Sequence, residues 1–146
     1  AHRGIDEHYF TENNTQGIAK TLEIAKTDFD GLCYTNLVDC DMLYGHRRDI
    51  DGYAKAISEF DECLPRLAGD LRDDDFLIIT ADHGCDPGFK GTDHTREYVP
   101  LLIYSNSIKG KNLGTIDGFG AVADTVLSMF DIKSTLDGKH ILDKIR

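Results

Sequence analysis

The chain has 146 residues and a formal charge of −10, from 16 Lys+Arg against 26 Asp+Glu; 40% of residues are hydrophobic, 29% are charged, and mean hydropathy is −0.34. That is the composition of one soluble globular domain, or of a piece of one, long enough to bury a core. The acidic balance argues against a nucleic-acid binder, which needs a basic face to displace counterions, and against a surface drawn to anionic lipid; no apolar run approaches the roughly 18 residues of a membrane span, and no signal-peptide pattern opens the chain.

The chain begins Ala-His-Arg-Gly, without a methionine, which points to an excised, cleaved or incomplete product. The first dozen residues are polar and carry no period. Asn14-Thr15 are positioned to cap a helix running through Gly17, Ile18, Leu22, Ile24 and Ala25. Residues 29–38 (FDGLCYTNLV) read as a buried strand, rich in apolar and aromatic residues, that stops at Asp39-Cys40-Asp41. A loop is expected over Met42–Arg48. Tyr53, Ile57, Phe60, Leu64 and Leu67 then recur at helical spacing, with Asp51 near the helix start and Pro65 expected to bend or weaken the last turns.

Residues 71–75 form an acidic turn whose Asp73-Asp74-Asp75 run reads as solvated. Residues 76–80 (FLIIT) predict a second strand and 99–104 (VPLLIY) a third, with Pro100 fitting only a strand start or an edge. A Gly-punctuated connection leads to a helix marked by Phe119, Val122, Val126, Leu127 and Phe130. The tail from Asp131 carries little signal. Strands alternate with helices, so the class is α/β with a largely parallel or mixed sheet.

Four cysteines are present, Cys33, Cys40, Cys63 and Cys85, and none forms a C-x-x-C pair. A zinc ribbon or thioredoxin-type site is therefore disfavoured. Cys33 and Cys40 lie in or beside the apolar run and Cys63 on a helix face, so reduced thiols in a cytoplasmic protein are expected.

Three polar clusters carry candidate chemistry: Asp39–Asp49 (DCDMLYGHRRD), residues 80–87 (TADHGCDP) and residues 91–97 (GTDHTRE). Two follow apolar strands directly, and open α/β sheets bind ligands at the carboxyl ends of their strands. Asp39 or Asp41 would thus meet Asp82 and His83 at one sheet edge, and the loop bearing Asp93 and His94 would fold over it. Carboxylates with imidazoles suit manganese, zinc or iron(II), and paired ions about 3.5–4 Å apart typify phosphoryl transfer. The bland alternative is that Asp-rich loops are simply solvated turns. Arg47, Arg48 and Arg96 either bind phosphate or balance the neighbouring carboxylates. His2, His8 and His140 lack such company and read as ordinary histidines.

Residues 35–65 (TNLVDCDMLYGHRRDIDGYAKAISEFDECLP) and 77–105 (LIITADHGCDPGFKGTDHTREYVPLLIYS) resemble the phosphopentomutase family of alkaline-phosphatase-like metalloenzymes. The resemblance covers most of residues 30–130 and implies an alkaline-phosphatase-like core. It implies that Asp41, His46 and His94 bind one manganese ion and that Asp82 and His83 bind a second. It also implies a cytoplasmic isomerase of nucleoside catabolism that interconverts (deoxy)ribose 1-phosphate and 5-phosphate. In that reaction a phosphothreonine gives its phosphoryl group to the pentose phosphate, with a sugar bisphosphate such as glucose 1,6-bisphosphate as primer. In the family the nucleophilic threonine, and an aspartate completing the second metal site, lie in an N-terminal part of the core that a sugar-phosphate-binding cap separates from the present region. Thr80, Thr92 and Thr95 do not match the nucleophile position. The chain is thus expected to be the C-terminal portion of the core, with the N-terminal core segment and cap as its missing partner, and to be inactive alone. The competing readings are a related enzyme such as a cofactor-independent phosphoglycerate mutase, or a non-catalytic acidic domain.

Overall fold

The computed structural model describes residues 3–136 and 141–145; His2 and His140 lie outside the described residues. The α/β expectation holds: helices lie on either side, in chain order, of two consecutive short strands, and no described helix is long and apolar enough to cross a membrane.

Helix α1 spans Asn14–Ile24. Its cap is Asn13, whose side chain accepts from the Gln16 amide at 2.9 Å, one residue earlier than the sequence suggests. Asn14 is instead buried in the first turn and trades two hydrogen bonds with Asp39: its amide donates to Asp39 Oδ2 at 2.8 Å, and the Asp39 amide donates to Asn14 Oδ1 at 3.0 Å. The carboxylate thereby satisfies an orphan amide at the positive end of the helix.

Residues 29–38 do not form the expected strand. They form no regular element up to Val38 and have no ladder partner among the described residues, and Leu32 and Tyr34 are exposed. A strand exists only where another backbone accepts and donates its hydrogen bonds. Here the segment is held by side chains instead. Thr35 Oγ1 lies 2.8 Å from Thr21 Oγ1 of α1, and a Cβ at Gly17 would come within 2.8 Å of Leu37. Arg72 donates to Asp28 at 2.8 Å and to the Phe29 carbonyl at 2.9 Å. Arg72 also bonds Asp75 and holds that carboxyl below the usual carboxylate range, so the acidic run is an anchored turn at Asp75 rather than solvated throughout.

Helix α2 spans Ile50–Asp70, capped by Asp49, whose side chain accepts from the Gly52 amide at 2.9 Å. It packs against α1 and buries Ala56 and Leu67, while Ile57 is half exposed. Pro65 does not end it; the helix continues to Asp70.

Strands β1 (Leu77–Thr80) and β2 (Leu101–Tyr104) pair antiparallel, with Leu77 opposite Tyr104 and Thr80 opposite Leu101. The parallel pairing expected from the alternation is absent among the described residues, because the segment that would supply it is the unpaired 29–38 stretch. The antiparallel arrangement has a consequence for the site. Residues 81–100 leave β1 and re-enter β2 at the same sheet edge, so the Asp82 and His94 clusters belong to one loop.

Helix α3 (Gly120–Met129) buries Ala121, Asp124 and Thr125 rather than its valine stripe. The tail packs there: Ile141 and a short helix α4 (Leu142–Ile145) are buried, and the Ile141 amide donates to Thr125 Oγ1 at 3.0 Å. Phe119 stays 87% exposed. Val122, Val126 and Met129 line an open apolar cleft of about 2310 Å³, shared with Leu32, Phe60 and Ile78.

Candidate metal centre

The stretch expected to be a loop begins as a π-helical turn over Cys40–Gly45. Its five-residue hydrogen bonds run from the His46 amide to the Asp41 carbonyl at 3.1 Å and from the Asp49 amide to the Tyr44 carbonyl at 3.0 Å. A π-turn winds wider than the 3.6-residue α-turn, so side chains five apart return towards one side. Asp41 and His46 are five apart. Gly45 is buried in this turn, and a Cβ there would collide with Cys85 Sγ and come within 2.9 Å of the Cys40 carbonyl.

The 81–100 loop closes on itself. Gly84 and Thr95 form an isolated bridge, with the Thr95 amide donating to the Gly84 carbonyl at 3.1 Å. Thr95 Oγ1 accepts from the Asp86 amide at 2.6 Å and donates to Glu97. His83 and His94 flank this bridge, and their rings stack with centroids 3.6 Å apart.

The turn and the loop meet at Asp41. Its Oδ1 lies 3.4 Å from His46 Nε2 and 3.3 Å from His94 Nε2, and ligand atoms of the three residues all fall within 4.8 Å of one another. His46 Nδ1 faces the Thr92 carbonyl, which only accepts, so Nδ1 donates there and Nε2 is the ring nitrogen turned toward Asp41. Asp41 Oδ1 is buried without a hydrogen-bond partner among the described residues. A buried carboxylate oxygen with nothing to accept from is costly, and a cation between it and the two imidazoles removes that cost. The donor set of one carboxylate and two imidazoles fits a divalent transition metal.

Asp82 and His83 are adjacent but do not join a group of three metal-competent residues among those described. His83 Nε2 lies 3.6 Å from Asp82 Oδ1, His83 Nδ1 donates to the Gly84 carbonyl at 3.1 Å, and the Asp82 side chain is 92% exposed. Asp39, which the sequence left level with Asp41, is engaged at the start of α1 instead. Of the three arginines, Arg47 and Arg96 are exposed, whereas Arg48 directs its guanidinium at the backbone carbonyls of Asp86, Gly91 and Asp93. No sequence signal marks that role, since it depends on where the second loop lies.

All four cysteines are free. Burial raises the thiol pKa of Cys85, and a hydrogen bond to Asp41 raises it further; burial likewise raises Cys40 and Cys63. Cys33 is exposed. Only the thiolate reacts, so iodoacetamide at pH 7.5 is expected to label Cys33 first and the other three slowly. Peptide mass spectrometry checks the order, and faster labelling of Cys85 than of Cys33 would contradict it.

A model of the metalloenzyme superfamily matches residues 4–134. The chain belongs to the metalloenzyme superfamily. Among its curated relatives, the phosphopentomutase of Lachnoclostridium phytofermentans is 51% identical over 142 residues, covering 97% of this chain and 36% of the relative. The phosphopentomutase of Acetivibrio thermocellus is 52% identical over 144 residues, 98% of this chain and 37% of the relative. That of Carboxydothermus hydrogenoformans is 52% identical over 147 aligned positions, all of this chain and 38% of the relative. The chain thus spans a little over a third of the length of these superfamily members.

Proposed function

We propose that residues 1–146 form the C-terminal portion of the metal-binding core of a phosphopentomutase, a cytoplasmic enzyme that interconverts (deoxy)ribose 1-phosphate and (deoxy)ribose 5-phosphate. The observation that carries this reading is the orphaned Oδ1 of Asp41, buried between two imidazole nitrogens. Identity near 50% to phosphopentomutases along the whole chain supports it. Asp41, His46 and His94 would hold one manganese ion; Asp82 and His83 would contribute to a second. When bound, the ions supply positive charge against the oxygens of the transferring phosphoryl group. The protein's part is to hold its ligands in fixed orientations. The Thr92 carbonyl fixes the His46 tautomer and the Gly84 carbonyl that of His83, so both present Nε2 as a donor to metal. Stacking of His83 on His94 keeps the two sets side by side.

The nucleophilic threonine and the sugar-binding cap would come from the remainder of a longer protein, with glucose 1,6-bisphosphate or a similar bisphosphate as primer. The test is an assay of the full-length protein with manganese on ribose 5-phosphate and, separately, on 3-phosphoglycerate. Turnover of the pentose phosphate alone, and none by the isolated 146-residue chain, is expected. Preference for 3-phosphoglycerate, or mutase turnover by the isolated chain, would overturn the proposal.

A further inference from the structure

The π-turn does more than present Asp41 and His46. The two residues that follow its end on the inner side, His46 and Arg48, reach across to the other loop and engage its backbone. Arg48 Nη1 donates to the Asp86 carbonyl at 2.6 Å, Nη2 to the Asp93 carbonyl at 2.8 Å, and Nε to the Gly91 carbonyl. His46 Nδ1 takes the Thr92 carbonyl between them. Four carbonyls of residues 86–93 are thus gripped from one short segment, and the last of them belongs to the residue preceding His94.

Arg48 also has φ = 58°, in the left-handed region that a bulky side chain rarely adopts. A strained backbone persists where surrounding contacts over-determine it, and three guanidinium hydrogen bonds in one fork do so. The loop has few alternatives for rigidity. Its residues 88–94 are exposed, and Gly91 is itself in left-handed backbone at φ = 81°. Without the guanidinium, the near side of His94 would keep the single His46 contact at the Thr92 carbonyl, while the bridge at Gly84 and Thr95 would fix the far side.

We propose that Arg48 is a positioning residue of the metal centre: it clamps the 86–93 backbone and so sets His94 Nε2 opposite Asp41. This rests on the proposed metal centre and deepens it. Lysine cannot replace it, because a single ammonium cannot serve three carbonyls spread along a loop in the way a planar fork does.

The experiment compares Arg48→Ala, Arg48→Lys and Arg48→Gly with Arg47→Ala in the full-length protein. Manganese affinity is measured by calorimetric titration, and amide hydrogen exchange is measured without metal. The visible spectrum of the cobalt(II)-loaded protein at saturating metal reports ligand geometry. All three Arg48 variants should weaken manganese binding by about 10–100-fold, the range found when outer-shell partners of metal ligands are removed. They should also speed exchange over residues 87–94 and alter the cobalt spectrum. Arg48→Gly relieves the left-handed strain, so it should keep the metal-free protein folded while losing the clamp. Arg47→Ala removes the same charge next door and should leave affinity and exchange near the parent's.

Parental affinity in Arg48→Gly, or equal losses in Arg47→Ala and Arg48→Ala, would overturn the positioning role while leaving the metal centre standing. Manganese binding by the parent that is indifferent to His94→Ala would instead overturn the metal centre, and the positioning role with it.

Discussion

Asp41→Asn is expected to move stability in opposite directions with and without metal. In the parent, manganese at about 100 times its dissociation constant should stabilise the folded protein by about 2.7 kcal/mol. The asparagine variant should lose that increment, since the amide carries no charge to the cation. Without metal, however, the variant should be at least as stable as the parent. The Asp41 oxygen is buried without a hydrogen-bond partner among the described residues, and an unsatisfied buried charge of this kind costs about 1–3 kcal/mol or more. Thermal unfolding with and without manganese checks both signs. A metal-free loss in Asp41→Asn as large as the metal-bound loss would mean that the carboxylate is structural. Asp39→Ala supplies the contrast: it should cost about 1 kcal/mol whether or not metal is present, because its carboxylate serves the start of α1.

Gly45→Ala is the second large effect. The added methyl would meet Cys85 Sγ and the Cys40 carbonyl. Overpacking a tight site typically costs 1–3 kcal/mol. The larger consequence is geometric, because Gly45 sits directly before His46 and against the residue that follows Gly84. Pushing turn and loop apart should separate His46 from His94 and lower manganese affinity by more than about tenfold. Combining Gly45→Ala with Cys85→Gly should restore part of both losses, since the sulfur is the nearest obstacle while the carbonyl remains. Denaturant unfolding and metal titration of the two single variants and the double variant form a cycle that measures this coupling. Strictly additive losses would show that the contact between turn and loop does not set the site.

The strands at residues 77–80 and 101–104 were legible because compact apolar runs bounded by polar clusters have few other uses. Helix α2 was legible from its period, with Asp51 near its start; that Asp49 caps it came from the structure. Residues 29–38 were misread for a physical reason. Their composition suits a strand, but a strand is a property of two backbones, and this one has no partner among the described residues. The spacing of Phe119, Val122, Val126, Leu127 and Phe130 marked helix α3 but not what its faces meet: Val122 and Val126 line the open apolar cleft, while Ala121, Asp124 and Thr125 are buried.

The opening charge of −10 divides along the same line. The sequence by itself showed which residue types could serve a cation and placed Asp39, Asp41, Asp82 and His83 just after strand-like runs, and the family resemblance implied the set Asp41, His46, Asp82, His83 and His94. The family resemblance implied Asp41 rather than Asp39, and the tertiary structure supplies the physical difference between these two chemically identical residues, which lie two positions apart. One carboxylate accepts the amide of Asn14; the other turns inward on a π-turn, where its Oδ1 has no hydrogen-bond partner among the described residues. Only the tertiary structure showed Arg48 reaching the carbonyls of Asp86, Gly91 and Asp93. Residue type fixes what a side chain is able to donate or accept. Which partner it meets depends on backbone winding and loop path, and those are set by contacts between segments some forty residues apart.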